Sequence, residues 1–314
     1  MEPDMLTGTP SRSPTAAYLT VWLATAAWAS SGILVRFIIA GSQVSALALA
    51  FWRDLFSFAI LFTGLVVLRP DWLRVDRRDV RWLAGLGSIG LGTFHVLWNL
   101  NVVINGVSVA TVQQATMPAV VAVAAWALWR EPLTRRKVLA ILLAFSGTLL
   151  VSGLDVLDTM RLTLPALLVG LATPVAYSAY SLFGKPLAGR YHPLTILTYG
   201  FGFGTLLLLP FQLLTPQPWP VPGETWMWFA ALVGPATILP FALYLSALRR
   251  LPASVASLLA MSEIPIAALY AYLLLGERFT GTQLIGAGLV VCGVLLLSWG
   301  RLRGNGRRQM AGTI

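Results

Sequence analysis

The sequence carries one pattern twice, as ATVQQATMPAVVAVAAWALWREPLT at residues 110–134 and as ASLLAMSEIPIAALYAYLLLGERFT at residues 256–280. Polar and glycine positions match at a constant offset of 146 residues. These pairs are Glu131 with Glu277, Thr134 with Thr280, Gly147 with Gly293, and Ser152 with Ser298. Two leucine- and alanine-rich stretches would not match at such positions by coincidence. The repeat therefore indicates a duplicated unit of about half the chain.

The composition surrounding this repeat is that of a membrane protein. Of the 314 residues, 57% are hydrophobic and 11% are charged, whereas soluble domains carry about 25% charged residues. The net charge of +10 does not form a basic domain, so we expect no nucleic-acid partner. The single cysteine, Cys292, excludes an intrachain disulfide and a multi-thiolate metal site. We expect no metal, no nucleotide-binding loop and no cofactor.

Ten apolar runs are long enough to cross a bilayer, which takes about 17–25 residues in helical form. The predicted spans are 17–39, 44–68, 82–103, 107–129, 135–153, 164–184, 193–214, 225–247, 252–275 and 280–300. The predicted domains are a disordered N-terminal tail (1–16), a first repeat (17–153), an outer loop (154–163), a second repeat (164–300) and a basic cytoplasmic tail (301–314). The expected fold is an all-α integral membrane protein with ten transmembrane helices.

The basic residues assign an orientation to these helices. With the N-terminus in the cytoplasm, all of the 22 basic residues except Arg36, Arg53, Arg161 and Arg278 fall in cytoplasmic segments. This asymmetry predicts a multi-pass protein of the inner membrane with both termini cytoplasmic. Because each repeat contains five helices, the two repeats must be inverted relative to each other. Inverted repeats are typical of secondary transporters, whose site lies near the midplane.

Three motifs resemble one transporter family. They are MPAVVAVAAWALWREPLT at 117–134, IPIAALYAYLLLGERFT at 264–280 and LALAFWRDLF at 47–56. Together they are similar to the EamA type of the drug/metabolite transporter superfamily, over roughly residues 17–300. The resemblance implies ten helices, a central cavity between the halves and export of a small metabolite. The sequence departs from the family pattern at Arg130, where glycine is usual, and at Glu263, which is not adjacent to Pro265.

Ionisable residues inside the spans are the candidates for a substrate site, because such groups usually face a cavity or a partner. Arg53, His95 and Glu263 fall at similar depths on three helices, and Asn99 shares a helix face with His95. We also place Gln113 or Gln114 at this depth. Arg53 could instead bind backbone carbonyls, and His95 could instead bridge two helices. Asp54 is either a local counter-charge for Arg53 or a separate buried partner.

Aromatic side chains are the candidates for the walls of this site. They are Trp98, Tyr177, Tyr180 and Tyr244, and for each the alternative is a lipid-facing or core position. A cation at Arg53 and an anion at Glu263 suit a zwitterion, such as an aromatic or hydrophobic amino acid. Glu263 is also our candidate for carrying a coupling proton. For Glu131 and Glu277 we predict a structural role, closing a turn by accepting N–H bonds from the next helix.

The sequence therefore favours a secondary transporter that exports a small metabolite by alternating access. An integral-membrane enzyme is disfavoured, because two histidines and no His-Glu-x-x-His motif leave little from which to build a catalytic site. A passive channel remains open as an alternative. The expected partners are the lipid bilayer and a small-molecule substrate, with the chain a monomer or a weak dimer.

Overall fold

The structure is a computed structural model that describes residues 14–42, 44–105, 107–152, 163–214, 223–275 and 280–310. All regular elements in these ranges are helical. In the first half they are α1 Pro14–Ala29, α2 Ser31–Ser42, α3 Ala46–Leu68, α4 Val80–Gly85, α5 Phe94–Asn105, α6 Val107–Gln114, α7 Met117–Trp129 and α8 Arg135–Val151. In the second half they are α9 Leu164–Ala188, α10 Pro193–Leu214, α11 Gly223–Val233, α12 Leu239–Leu248, α13 Ala253–Ala260, α14 Glu263–Leu275 and α15 Gly281–Met310.

Eight helical segments among the described residues are long and apolar enough to cross a membrane. They are Ala16–Ser42, Ala46–Leu68, Val80–Asn105, Val109–Trp129, Leu164–Ala188, Pro193–Leu214, Gly223–Leu248 and Ala253–Leu274. The predicted spans 135–153 and 280–300 correspond to α8, which has 17 residues, and to the shorter apolar helix Gly281–Leu296. The all-helical membrane fold is confirmed at this level.

The ends of the predicted domains differ in detail from the described helices. The tail predicted for residues 1–16 is already helical from Pro14, and α15 continues through the tail that was predicted from residue 301. Thr163 precedes α9 as its N-cap residue. The rest of the predicted outer loop, together with Glu277, lies outside the described residues.

Three predicted spans are interrupted where the sequence suggested continuous helices. The first breaks between α1 and α2, the fourth between α6 and α7, and the ninth between α13 and α14. Pro118 and Pro265 lack the N–H that would bond to a carbonyl four residues earlier. Met261 O, the carbonyl that Pro265 cannot reach, accepts instead from Ile264 N at 3.1 Å. The breaks after Gln114 and after Ala260 are separated by the offset of the sequence repeat.

A wider helical turn occurs in the third helix of each half. Residues Leu86–Thr93 and Gly234–Ile238 form π-helical turns that join α4 to α5 and α11 to α12. In each turn a threonine hydroxyl donates to the carbonyl five residues earlier, Thr93 to Ser88 at 2.8 Å and Thr237 to Leu232 at 2.6 Å. Such π turns often occur at functional sites.

Helices α8 and α15 pack together through reciprocal glycine contacts. A Cβ on Gly147 would lie 2.6 Å from Gly286 O, and a Cβ on Gly293 would lie 2.8 Å from Ala140 O. Gly147 and Gly293 are repeat partners, as are Ala140 and Gly286 at the same offset. The late part of one helix therefore meets the early part of the other, so the two helices run antiparallel.

Substituting Gly286 by alanine should destabilise this packing, since the new Cβ would lie 2.6 Å from Gly147 O. The backbone must shift to relieve the clash, at a cost of about 1–3 kcal/mol. The matched control is Gly288→Ala on the same helix, where nothing lies within 4 Å of the new Cβ. We expect a lower thermal unfolding midpoint in detergent for Gly286→Ala only. Equal midpoints for the two variants would contradict the close packing of α8 and α15.

Candidate functional site

A cavity lies where the three interrupted helices meet. It contains about 410 Å³ of space, including the part that is open to the outside. Its lining residues are Trp28, Ser31, Gly32, Arg53, Phe94, Trp98, Gln114, Tyr177, Phe241 and Glu263. The lining includes the residues flanking each interruption, from α1 and α2, from the end of α6 and from the start of α14. Irregular backbone at membrane depth is tolerated where it lines a cavity of this kind.

Arg53 is the cation of the cavity, and it is held from the opposite half of the chain. Its side chain is nearly buried, on α3, and Nε donates to Thr237 Oγ1 at 2.7 Å. Thr237 sits in the π turn that precedes α12, where its own hydroxyl donates to Leu232 O. A guanidinium has five N–H donors in a planar fork. One of them is used by Thr237, and the group still lines the cavity.

Acceptors face the same cavity from two other helices. Glu263 is the first residue of α14, and Gln114 is the last residue of α6. The Oε1 atom of Gln114 is buried and has no hydrogen-bond partner among the described residues. Glu263 lies within electrostatic range of Arg53, but among the described residues no ion pair within 4.0 Å joins them. Both side chains line the cavity, so a ligand in it can contact both charges.

Aromatic rings line much of the cavity. Phe94 stacks on Tyr177 with ring centroids 4.3 Å apart, and Trp28 meets Phe241 edge-on at 5.0 Å. Both phenylalanines and Tyr177 are buried apart from the surface they give to the cavity. Such a wall favours a ligand with an apolar or aromatic side chain.

A carboxylate from the first half caps a helix of the second half. Glu131 accepts from Ala253 N at 3.1 Å and from Ser254 Oγ at 2.5 Å, at the start of α13. Lys137 Nζ donates to Ser254 Oγ at 2.7 Å and lies 3.6 Å from Glu131 Oε2. We call Glu131, Lys137 and Ser254 the Glu131 clasp. The predicted partner of Glu131 was the next helix, but Thr134 caps α8 instead, because the chain folds α13 against the end of α7.

A second polar contact ties the segment before α4 to the segment before α10. Arg190 Nη1 donates to Asp79 Oδ1 at 2.7 Å, and Tyr191 Oη donates to Asp79 Oδ2 at 2.8 Å. Burial of Asp79 opposes its ionisation, but the hydrogen bonds from Tyr191 and Arg190 outweigh this and lower its pKa. The contact therefore stabilises the fold above the ordinary pKa of an aspartate and loses this effect as the pH falls through the lowered value.

Comparison with known proteins identifies the family. Residues 15–153 and residues 164–299 each match the model of the EamA-like transporter family. The chain belongs to the EamA-like transporter family. The family that the three sequence motifs indicated is confirmed.

Named relatives of this EamA protein are transporters. The uncharacterized inner membrane transporter YicL of Salmonella typhimurium is 30% identical over 291 residues, covering 89% of this chain and 94% of the relative. A probable terminal-alkyne amino-acid exporter of Streptantibioticus cattleyicolor is 28% identical over 305 residues, covering 93% and 97%. A protein of known crystal structure shares the fold, with 19% identity and a TM-score of 0.77 over 93% of this chain and 99% of its own. Family and relatives indicate a multi-pass membrane transporter and not an enzyme.

The structure brings five of the predicted site residues together in the EamA protein's cavity. These are Arg53, Trp98, Gln114, Tyr177 and Glu263. Arg53 binds a threonine hydroxyl, not the backbone carbonyls of the alternative interpretation. Whether these residues bind substrate stays a prediction.

The other predicted residues have different partners. His95 Nδ1 lies 2.7 Å from Asp54 Oδ1, and Asn99 Nδ2 donates to Ala46 O at 2.8 Å. His95 thus bridges α5 and α3, which was the alternative left open from the sequence.

Gln113, Tyr180 and Tyr244 also lie outside the cavity lining. The side chain of Gln113 packs against Gly170. Tyr180 Oη donates to Phe241 O at 2.8 Å, and Tyr244 Oη shares a hydrogen bond with Ser181 Oγ at 2.9 Å. Their hydroxyls are engaged in helix packing because both rings face α9 and α12 and not the cavity.

Sequence reasoning missed half of the lining. The missed residues are Trp28, Ser31, Gly32, Phe94 and Phe241. A signal existed for the first three, since the Ser-Ser-Gly at residues 30–32, two residues after Trp28 and in mid-span, marks a point where a helix can break. No signal in the sequence distinguishes Phe94 and Phe241 from other apolar residues.

Replacing Thr237 by valine should leave the buried Arg53 Nε without its acceptor while preserving the side-chain shape. We expect the unfolding free energy to fall by about 1–3 kcal/mol, the cost of an unsatisfied buried donor. The matched control is Thr205→Val, since the Thr205 hydroxyl donates only to Phe201 O within its own helix. Thermal unfolding in detergent compares the two. If Thr237→Val is no less stable than Thr205→Val, Thr237 does not hold Arg53.

Proposed function

We propose that this EamA protein exports a small zwitterionic metabolite, an aromatic or hydrophobic amino acid, as a secondary transporter. The observation that carries the proposal is the placement of opposite charges in one aromatic-walled cavity. Arg53 comes from the first half and Glu263 from the second. Neither side chain is neutralised by an ion pair with the other.

The chemistry of the lining matches the two ends of an amino acid. The guanidinium of Arg53 can bind the carboxylate with two parallel hydrogen bonds. Glu263 and the unpartnered Oε1 of Gln114 can accept from the ammonium. Trp98 and the Phe94–Tyr177 stack then contact the side chain. A phosphate ester would need further cations, and among the described lining residues Arg53 is the cationic one.

The name of one relative supports this choice of cargo. The chain is similar over nearly its whole length to a probable terminal-alkyne amino-acid exporter. Such a cargo has a carboxylate, an ammonium group and an apolar tail, the three chemistries that the cavity offers.

The architecture that we propose is ten transmembrane helices in two inverted repeats. Adding α8 and the apolar part of α15 to the eight long spans gives ten. The reciprocal contacts of Gly147 and Gly293 are those expected of a two-fold relation between the halves. The matching helix breaks after Gln114 and Ala260 support the same relation. Both termini are cytoplasmic in this proposal, and the membrane is the inner one, as for the Salmonella relative.

Buried contacts on one side of the cavity support the proposal of alternating access. In this orientation α9 and α12 run towards the cytoplasm, so Tyr180 and Tyr244, both fully buried, lie on the cytoplasmic side of the cavity. The Glu131 clasp closes the same side, whereas the exposed Gly32 lies on the outer part of the first span. The state described is thus closed to the cytoplasm, and loading from inside requires the clasp to open.

The orientation can be tested with single cysteines in a Cys292→Ser background, since Cys292 is the only native thiol. We expect Asp158→Cys to react with a membrane-impermeant maleimide in intact cells, because residue 158 is assigned to the outer side. Arg77→Cys should react only in inverted vesicles. Labelling of both from one side would contradict the inverted-repeat topology.

Glu263→Gln should slow transport of L-phenylalanine without preventing folding. Losing one charge-assisted hydrogen bond of roughly 1.5–3 kcal/mol corresponds to a rate lowered about tenfold or more. Counterflow in proteoliposomes loaded with L-phenylalanine measures the rate. The matched control is Glu224→Gln, at the exposed first turn of α11, which should transport at the wild-type rate.

The same assay separates the competing functions. A carrier shows a transient accumulation of tracer driven by exchange, whereas a passive channel shows none. Counterflow of sugar phosphates together with none of amino acids would contradict the proposed cargo while leaving a transporter.

A further inference from the structure

A buried pair of titratable residues lies outside the cavity lining. Asp54 on α3 and His95 on α5 are 0% and 1% exposed, with His95 Nδ1 2.7 Å from Asp54 Oδ1. The second polar atom of each side chain, Asp54 Oδ2 and His95 Nε2, is buried and has no hydrogen-bond partner among the described residues. Neither residue lines the cavity that is proposed to bind the cargo.

The surroundings of the pair are closely packed. A Cβ on Gly204 of α10 would lie 2.6 Å from Asp54 Oδ2, so the helix backbone packs directly against the carboxylate. The rings of Phe94 and Phe241 lie with centroids 5.6 Å and 6.1 Å from that of His95.

The charged and titratable groups around the pair can be counted from every helix packed against it. Arg53 on α3 lies within electrostatic range of His95. Glu263 on α14 and Tyr177 on α9 lie within range of Arg53 in turn, and Tyr180 on α9 and Tyr244 on α12 lie within range of Tyr177. The facing parts of α10 and of the π turn before α12 present Gly204 and Thr237, which do not titrate. With neutral tyrosines and a neutral imidazole, one cation faces two carboxylates.

This count leaves one uncompensated negative charge inside the bilayer when both Asp54 and Glu263 are ionised. An unpaired charge at such a depth is strongly disfavoured. One bound proton makes the set of Arg53, Asp54, His95 and Glu263 neutral as a whole. If the proposed cargo places its ammonium on an ionised Glu263, that proton must reside elsewhere.

We propose that Asp54 and His95 form a proton-binding site that keeps the interior neutral when Glu263 is ionised. His95 gains one proton at Nε2, taken up from the aqueous phase, and becomes an imidazolium, while Asp54 remains a carboxylate that accepts from Nδ1–H. The site is separate from the Arg53–Glu263 cavity and is linked to it through Arg53, which lies next to Asp54 in the sequence and shares the cavity with Glu263. The dependence of this site on cargo rests on the proposed function, but the proton binding itself does not.

The chain contains only two histidines, His95 and His192, which allows a direct test. In a His192→Asn background, nitrogen NMR of histidine-labelled protein in lipid reports on His95 alone. We expect its ring to change from the neutral to the imidazolium form as the pH is lowered from about 9 to about 5. A ring that stays neutral throughout this range would overturn the proposal, without the need for any variant at the pair.

Charge variants distinguish a proton site from a purely structural hydrogen bond. Asp54→Asn should abolish the imidazolium signal, because it removes the carboxylate 2.7 Å from Nδ1. Arg53→Gln should have the opposite effect and extend the imidazolium form to higher pH, because a neighbouring cation is lost. The matched control is Asp71→Asn, which removes an exposed carboxylate and should leave His95 unchanged. Opposite or absent responses to the first two variants would overturn the proposal.

Addition of L-phenylalanine to the same sample tests the link to the cargo. At a fixed pH midway through the titration of His95, saturating ligand should raise the imidazolium fraction, because the ammonium holds Glu263 ionised. A titrating His95 that ignores L-phenylalanine contradicts the cargo and leaves the proton site standing. A non-titrating His95 in protein that still exchanges L-phenylalanine contradicts the proton site and leaves the proposed function standing.

Discussion

Arg53 donates from Nε to Thr237 Oγ1 across 2.7 Å, and this contact joins the two halves of the chain inside the membrane. A guanidinium at this depth must find acceptors and counter-charges, because neither lipid nor bulk water supplies them there. The π turn before α12 presents the hydroxyl, the neighbouring Asp54 presents one carboxylate, and Glu263 presents another across the cavity. The arrangement of the interior polar groups can be understood as the set of partners that this one cation requires.

The same contact depends on departures from regular helix. Thr237 faces Arg53 from a wider turn, Glu263 begins α14 after a break, and Gln114 ends α6 before another. Each departure releases backbone groups from the usual ladder, and a cavity between helices is where such groups can be accommodated. Helices α8 and α15, which contribute none of the lining residues, pack closely through Gly147 and Gly286. The cavity is thus lined in part by residues that flank the helix breaks and in part by residues of regular helices.

Contacts of charged side chains also join the two halves of the chain on one side of the membrane. On the side assigned to the cytoplasm, Glu131 caps α13 and binds Ser254, with Lys137 completing the contact. Tyr180 and Tyr244, whose rings are fully buried, each lie three residues after a lining residue, Tyr177 on α9 and Phe241 on α12. These contacts join residues from both halves, so a movement of one half against the other would have to break them together.

Much of the fold of this protein could be predicted from the sequence, because the relevant properties depend only on the order of residues along the chain. The length of an apolar run, the spacing of basic residues and the offset between Glu131 and Glu277 need no knowledge of packing. They were sufficient to predict a membrane fold, whereas the family was predicted from the resemblance of the motifs at 47–56, 117–134 and 264–280. Tertiary structure decided which face each helix turns inward, since adjacent residues on a helix differ by about 100° in direction. For this reason Gln114 lines the cavity while Gln113 packs against Gly170, and His95 binds Asp54 while Trp98 faces the site. The partner of Glu131 was equally beyond the sequence, because it lies 122 residues away on a helix of the other half.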